Sequence, residues 1–208
     1  SFPENKIIVD SYYVEAPEKV ANLYADIREK YDQLNERKLD DGDSFLTEVL
    51  RQRQEIELAK IPSVLDLIQS DLKAGKRVAV FVNFRDTQTV IRERLRKMVP
   101  IIAEIHGDQT GAERERAINL FQNNEVPVII STISAGGVGI SLHDLSDDGS
   151  APRSSIILPS FNAVDLRQAL GRIHRAGQRS KSVQRIVFAS DTVEESVAKR
   201  LNTKLNAF

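Results

Sequence analysis

From Arg77 onward the chain alternates short, uniformly apolar runs with longer amphipathic ones, and this alternation limits the folds open to it more than any other feature. RVAVFVNF (77–84), IIAEI (101–105), PVIIST (127–132), SSIILPS (154–160) and SVQRIVF (182–188) read as strands. Their apolar residues are consecutive rather than alternating, as expected of strands covered on both faces. Between them lie DTQTVIRERLRKM, with a basic outer face, then GAERERAINLFQ, AVDLRQALGRIHR and TVEESVAKRLNTKL, all read as helices. Strand–helix alternation predicts an α/β fold with an open parallel sheet, helices on its faces and right-handed crossovers. No internal repeat interrupts it. In such sheets ligands bind beyond the carboxyl ends of the strands, so candidate motifs are weighed there.

Residues 1–76 have a different character. KIIVDSYYVEA reads as a strand, and residues 17–37 as a helix with Val20, Leu23, Tyr24, Ile27, Tyr31 and Leu34 on one face. KLDDGDS (38–44) is a polar break. A helix from Ser44 to Lys60 follows, with Ser44 as its cap, and then one over 61–75 with Ser63 as cap and Gly75 as stop. The expected organisation is a mostly helical extension, 1–76, packed on a lobe formed by 77–208. DLSDDGSAPRSS (144–155) reads as a surface loop.

Composition excludes several classes. The chain has no cysteine, hence no disulfide and no thiolate metal site. His106, His143 and His174 lack ligand spacing, so no metal bound by this chain alone is expected. No apolar run approaches the about 20 residues that span a bilayer. SFPENKIIVD lacks the layout of a signal peptide, and a soluble, intracellular protein (cytoplasm or nucleus) is expected. Net charge is −1, yet 160–186 holds six Lys/Arg against Asp165, a balance of +5. Residues 1–60 hold nine against fourteen acids, a balance of −5. A local basic patch can meet a polyanion whatever the global charge; it can equally be a solvated face.

Three stretches carry candidate chemistry. In STISAGGVGISL (131–142), Gly136, Gly137 and Gly139 follow a strand, with Ser131 and Thr132 beside them. Exposed N–H groups there suit a phosphate, although a tight turn alone would also need glycine. In IHGDQTGAER (105–114), His106 and Gly107 end a strand and Arg114 lies in the next helix; the plainer reading is a helix start capped by Asp108 or Thr110. In QALGRIHRAGQ (168–178), a continuous helix would put Gln168, Arg172 and Arg175 on one face. Gly171 inside that helix costs about 1 kcal/mol relative to alanine, which suggests a close approach to its backbone. The plainer reading has cations at a helix C-terminus, with Gly177 beyond it.

Taken in this order, the stretches resemble the second RecA-like lobe of superfamily 2 helicases and translocases, most of all the Swi/Snf type. STISAGGVGISL resembles motif V, usually ST-x-AGG-x-G-I-N-L, and QALGRIHRAGQ resembles motif VI, Q-A-x-x-R-x-H-R-x-G-Q. IHGDQTGAERERAINLFQ resembles the stretch between motifs IV and V, RVAVFVNF stands as motif IV, and TVEES (192–196) resembles the start of the closing helix. The resemblance spans about residues 44–208. Ser141 stands where the family usually has Asn, and Phe161-Asn162-Ala163 where it has W-N-P. SLHDL and the 144–155 insertion suggest a divergent branch, viral or phage.

The resemblance implies a RecA-like fold and half of an ATPase, because neither a GxxxxGK[ST] loop nor a DExx stretch is present. ATP and Mg²⁺ would then sit mainly on a first lobe, with Arg172 and Arg175 as arginine fingers and Gln168 positioning nucleotide or water. Gly136, Gly137, Gly139 and Gly171 would serve the nucleotide side; Ser131, Thr132, Asn83, His106, Gly107 and Arg114 would serve nucleic acid. The implied partners are DNA, duplex above all, and the first lobe. An RNA or single-strand helicase lobe and a non-catalytic RecA-like binding module are the alternatives. The isolated chain is expected to lack ATPase activity.

Overall fold

A computed structural model of the chain describes residues 3–36, 42–135, 140–160 and 163–206. Its centre is a six-stranded sheet in which every pairing is parallel. In chain order the strands are β1 (Asn5–Tyr12), β2 (Arg77–Val82), β3 (Ile102–Ile105), β4 (Val128–Thr132), β5 (Arg153–Ile157) and β6 (Ser182–Ala189), and in the sheet they run β1-β6-β5-β2-β4-β3. The helices are α1 (Pro17–Asn35), α2 (Gly42–Ala59), α3 (Ile61–Lys73), α4 (Arg85–Leu95), α5 (Gly111–Gln122), α6 (Ala163–Leu170) and α7 (Glu194–Leu205).

Successive strand residues point to opposite faces, so each consecutive apolar run feeds two cores. Val78, Val80 and Val82 join Val128, Ile130 and Ile156 on one face, under Ile61, Val64 and Ile68 of α3 and Ile91 and Leu95 of α4. Ala79 and Phe81 join Ile129 and Ile157 on the other, under Ala117 and Phe121 of α5 and Ala169 of α6. This is the physical content of the uniformly apolar strands: α3 and α4 cover one face, and α5 and α6 the other.

Residues before Arg77 are woven into the same sheet. β1 pairs with β6 from Asn5↔Ser182 to Tyr12↔Ala189 and forms an edge of the sheet. α1 and α2 share a smaller core of Val20, Ile27, Phe45, Val49 and Ile56 with Val14 and Ala189. A buried ion pair locks this unit to the lobe: Lys60 Nζ lies 2.6 Å from Glu194 Oε1, with side chains 4% and 0% exposed. The same carboxylate accepts the Ala189 N–H and the Tyr24 hydroxyl. Burial first, then Glu194, pushes the Tyr24 phenol far above its ordinary range.

Helix ends depart from several expectations. α2 starts at Gly42, so Ser44 lies inside it rather than capping it. Ser63 does not cap α3; its hydroxyl donates to Tyr13 O at 2.6 Å, tying α3 to the end of β1. Gly75 does stop α3: at φ 78° it lets Gly75 N reach Leu72 O and Lys76 N reach Asp71 O, closing a Schellman motif. Thr110 caps α5 in a reciprocal capping box with Glu113. The largest departure is α6, which ends at Leu170 instead of continuing to Arg175. Gly171, a weak helix former, begins a turn there, and the carbonyls of Gly171 and Arg172 accept from Arg175 Nε and Leu142 N. Gln168, Arg172 and Arg175 therefore do not share one helical face, and Gly177 (φ 92°) serves a later turn rather than a helix end.

Candidate functional site

The sheet reverses its winding between β2 and β5, since the chain leaves β2 toward β3 and leaves β5 toward β6 on the other side. Such switch points are where open α/β sheets take ligands. Asn83 sits here, its amide Nδ2 donating to Leu158 O just after β5 at 3.0 Å and to Glu57 Oε2 at 2.6 Å. Glu57 also accepts the N–H groups of Asn83 and Phe84, the free donors at the start of α4. An internal carboxylate thus fills the place an anion would take at that helix N-terminus, and burial raises its pKa. A groove of about 770 Å³ opens beside it, lined by Tyr24, Leu50, Phe84, Pro159 and Val193 among others.

The segment after β3 is held by side chains. Gln109 accepts from His106 N at 3.0 Å and donates to Glu104 O at 2.9 Å. Arg114 Nη2 donates to Gly107 O at 3.2 Å, placing His106, Gly107 and Arg114 together. Burial first, then the Arg85 guanidinium, lowers the pKa of His106. Ser131 and Thr132 end β4 but are 1% and 4% exposed, and the Ser131 hydroxyl bonds inward to Thr132 O.

Next to the exit of β4 lies the arginine turn. Arg172 is buried, 5% exposed, and among the described residues its guanidinium bonds to Ile140 O, at 3.4 Å. Arg175 donates to Gly171 O at 3.0 Å and to Ser141 Oγ at 2.9 Å. Gln178 accepts the Arg175 N–H and donates to Ser180 O, closing the turn. Among the described residues no carboxylate lies within ion-pair distance of either guanidinium. Burial, and Arg175 after it, lowers the pKa of Arg172. Two close cations without a counter-ion form a site that favours an anion, and guanidinium forks suit phosphate. Gln168 is exposed on α6. A Cβ on Gly171 would meet only the carbonyls of Gln168 and Arg167, at 3.6 and 3.7 Å. Gly136, Gly137 and Gly139 lie outside the described residues. Among the described residues no group of three or more His, Asp or Glu is placed to hold a metal.

Residues 59–177, which contain both the β2–β5 switch and the arginine turn, match the family described as the helicase conserved C-terminal domain. The chain belongs to that family. The helicase domain is 38% identical over 205 residues to a protein of Acanthamoeba polyphaga mimivirus that bears the name of an ATP-dependent RNA helicase, covering 98% of this chain and 37% of that protein. It thus spans little more than a third of that relative's length. Its fold is shared with the C-terminal part of the Fun30 ATPase domain (TM-score 0.68, 15% identity, 96% of this chain and 90% of that one). It is shared as well with the Sulfolobus solfataricus SWI2/SNF2 ATPase core solved with double-stranded DNA (TM-score 0.65, 21% identity, 99% of this chain and 45% of that one). The architecture is therefore that of a RecA-like C-terminal lobe, the fold it shares with those two structures.

Three polar residues that organise the helicase domain escaped the sequence reading. Glu57 is one. Gln88, fully buried on α4, donates to Ile105 O and Ile130 O and so ties the ends of β3 and β4. Arg153, 1% exposed, donates to the carbonyls of Leu142, Ala151, Phe121 and Gln122 and to Asn124 Oδ1, with Phe121 beneath it. Burial lowers its pKa to about 10.

Proposed function

We propose that this chain is the C-terminal motor lobe of an ATP-dependent DNA translocase or helicase, working against a first RecA-like lobe that holds most of the ATP and its Mg²⁺. The observation that carries the reading is the arginine turn, where a buried and a half-buried guanidinium stand together with no carboxylate among the described residues in ion-pair contact. ATP supplies the phosphoryl group to be transferred. Arg172 and Arg175, turned from their resting contacts on Ile140 and Ser141, would neutralise charge on it as arginine fingers. Gln168, exposed on the preceding helix, would position nucleotide or water, and Gly171 with Gly136, Gly137 and Gly139 would let backbone approach the nucleotide.

His106, Gly107 and Arg114 would face the phosphates of one nucleic-acid strand. Buried Ser131 and Thr132 would act by fixing the end of β4, and Asn83 by holding the end of β2 to β5, because the Ser131 hydroxyl and the Asn83 amide are engaged within the fold. Phosphate contacts carry little sequence information, which suits a translocase. Likeness to a Swi2/Snf2 core solved with duplex DNA favours DNA, and the name of the mimivirus relative favours an RNA helicase as the second reading.

ATP turnover by the full-length protein with duplex DNA, single strands or RNA separates the two readings. Duplex DNA is expected to stimulate most; stimulation by RNA alone would replace the first reading with the second. The isolated chain is expected to have negligible turnover. Substantial hydrolysis by the pure fragment would overturn the half-site reading, and loss of all nucleic-acid stimulation from the full-length protein would favour a non-catalytic binding module.

A further inference from the structure

The connection from 144 to 152 has the composition of a loose surface loop, yet it is fastened to the arginine turn. Asp144 is 1% exposed, and its carbonyl accepts Arg179 N at 3.0 Å, just after Gln178 closes that turn. One oxygen of its carboxylate, Oδ1, takes the N–H and hydroxyl of Ser146, while Oδ2 is buried without a hydrogen-bond partner among the described residues. At Gly149 the chain presses on the same residue. A Cβ there would lie 2.8 Å from Arg179 O, and the φ of 66° is one that side-chain-bearing residues rarely adopt. At its far end the connection runs into Arg153, whose Nε donates to Leu142 O at 3.0 Å. Leu142 N in turn donates to Arg172 O at 2.9 Å. Arg153 Nη2 fixes the guanidinium against the C-terminal carbonyls of α5, and Nη1 against Ala151 O and Asn124 Oδ1.

Both sides of the arginine turn are thus held by one connection, through Leu142 on the Arg172 side and Arg179 on the Gln178 side. We infer that residues 144–153 act as a brace that sets the position of Arg172 and Arg175, with Gly149 and Arg153 as positioning residues for ATP hydrolysis. The inference rests on the finger role proposed above. Neither Gly149 nor Arg153 touches nucleotide; each acts by fixing the backbone from which the two guanidiniums reach. Displacement of a reacting group by about 1 Å can lower a rate by about 100-fold, which is the scale available to such a brace.

The test uses the full-length protein with saturating nucleic acid. Gly149→Val forces the backbone of Arg179 away and is expected to lower kcat for ATP by about 100-fold with KM for ATP and nucleic-acid affinity unchanged. Gly149→Ala should give a smaller loss of the same kind. Arg153→Lys keeps the charge, loses the fork that spans Leu142 and Asn124, and should also lower kcat selectively. Should Gly149→Val fail to fold, as read by its thermal transition, Gly149→Ala and Arg153→Lys decide. Unchanged kcat in both, or kcat, KM and stability falling together, overturns the brace. Arg172→Ala is measured alongside: if it too leaves kcat unchanged, the finger reading has failed, whereas loss with Arg172→Ala alone refutes only the brace.

Discussion

Two regions of this domain bury cationic side chains and treat them in opposite ways. At the seam between α1–α3 and the sheet, Lys60 meets Glu194 at 2.6 Å, and Arg185 meets the buried Asp71 at 2.7 Å. Each cation there has a carboxylate. In the arginine turn, among the described residues, the Arg172 guanidinium has one long bond to a carbonyl, and that of Arg175 has a hydroxyl and a carbonyl. Arg153 lies between these extremes, with no carboxylate in contact but with carbonyl dipoles around its whole fork. A charge that only holds the fold together is matched within the fold. Among the described residues the charges of the arginine turn are left without a carboxylate, as the proposed half-site requires.

The sharpest way to break this comparison is to remove one charge from each region. Arg172→Ala or Arg175→Ala in the full-length protein should lower kcat by about 10³–10⁵-fold with nucleotide still bound, the range for a lost arginine finger. Steady-state turnover with a separate nucleotide-binding titration checks it; retained turnover would make the turn merely structural. In the same residue's other ledger, Arg172→Met should leave the unfolding free energy of the domain unchanged or raise it, because an unpaired buried charge is removed.

Glu194→Gln should do the reverse. It strands Lys60 without its anion and should destabilise the domain by about 3–5 kcal/mol, by urea titration. A loss as small as that of an exposed pair would mean that Lys60 reaches water, and the contrast between the regions would weaken. Gln88→Ala tests a neutral version of the same principle. It frees two carbonyls at the ends of β3 and β4 and should cost about 1–3 kcal/mol, with KM for nucleic acid rising if the His106 segment shifts.

What the sequence revealed follows the same division. The strands of the lobe were legible because three to five consecutive apolar residues bounded by polar ones have few other uses, and α5 was legible because Thr110 and Glu113 stand at capping-box spacing. The pairing of β1 with β6 was not, since nothing local to KIIVDSYY names a partner some 177 positions away. The arginines were found by their order among other motifs, but their geometry was misread. A periodic run from Ala163 to Arg175 hides the point where Gly171 and competing side chains end the helix. Buried polar residues were the least legible, because a charged residue in an amphipathic helix looks like surface. Lys60 carried a signal even so: it continues the stripe of Phe45, Val49 and Ile56, a place where a lone cation needs a partner. Arg153 had none, sitting at the end of a run whose composition reads as solvent-exposed loop.

The smallest expected effect is in pH dependence, where the two regions carry different signs. His143 sits beside the arginine turn; burial, then Arg175, holds its pKa below the ordinary 6.5. As pH falls through 6.5 the unfolded chain takes up this proton before the folded one does. Stability therefore declines below about pH 6.5 until the folded pKa is passed. His106 acts in the same sense, lowered by burial and then by Arg85. Glu57, next to Lys60 at the seam, has its pKa raised above 4.5 by burial, so its folded form takes the proton first and its contribution grows as pH falls toward 4.5. Unfolding free energies measured from pH 7 to pH 5 should fall, and His143→Asn should flatten that fall. Glu57→Gln should leave the onset near pH 6.5 in place and remove the opposing slope at lower pH. A decline that begins well below pH 6.5 and ignores His143 would mean that burial and the Arg175 guanidinium do not separate the folded and unfolded titrations of this histidine.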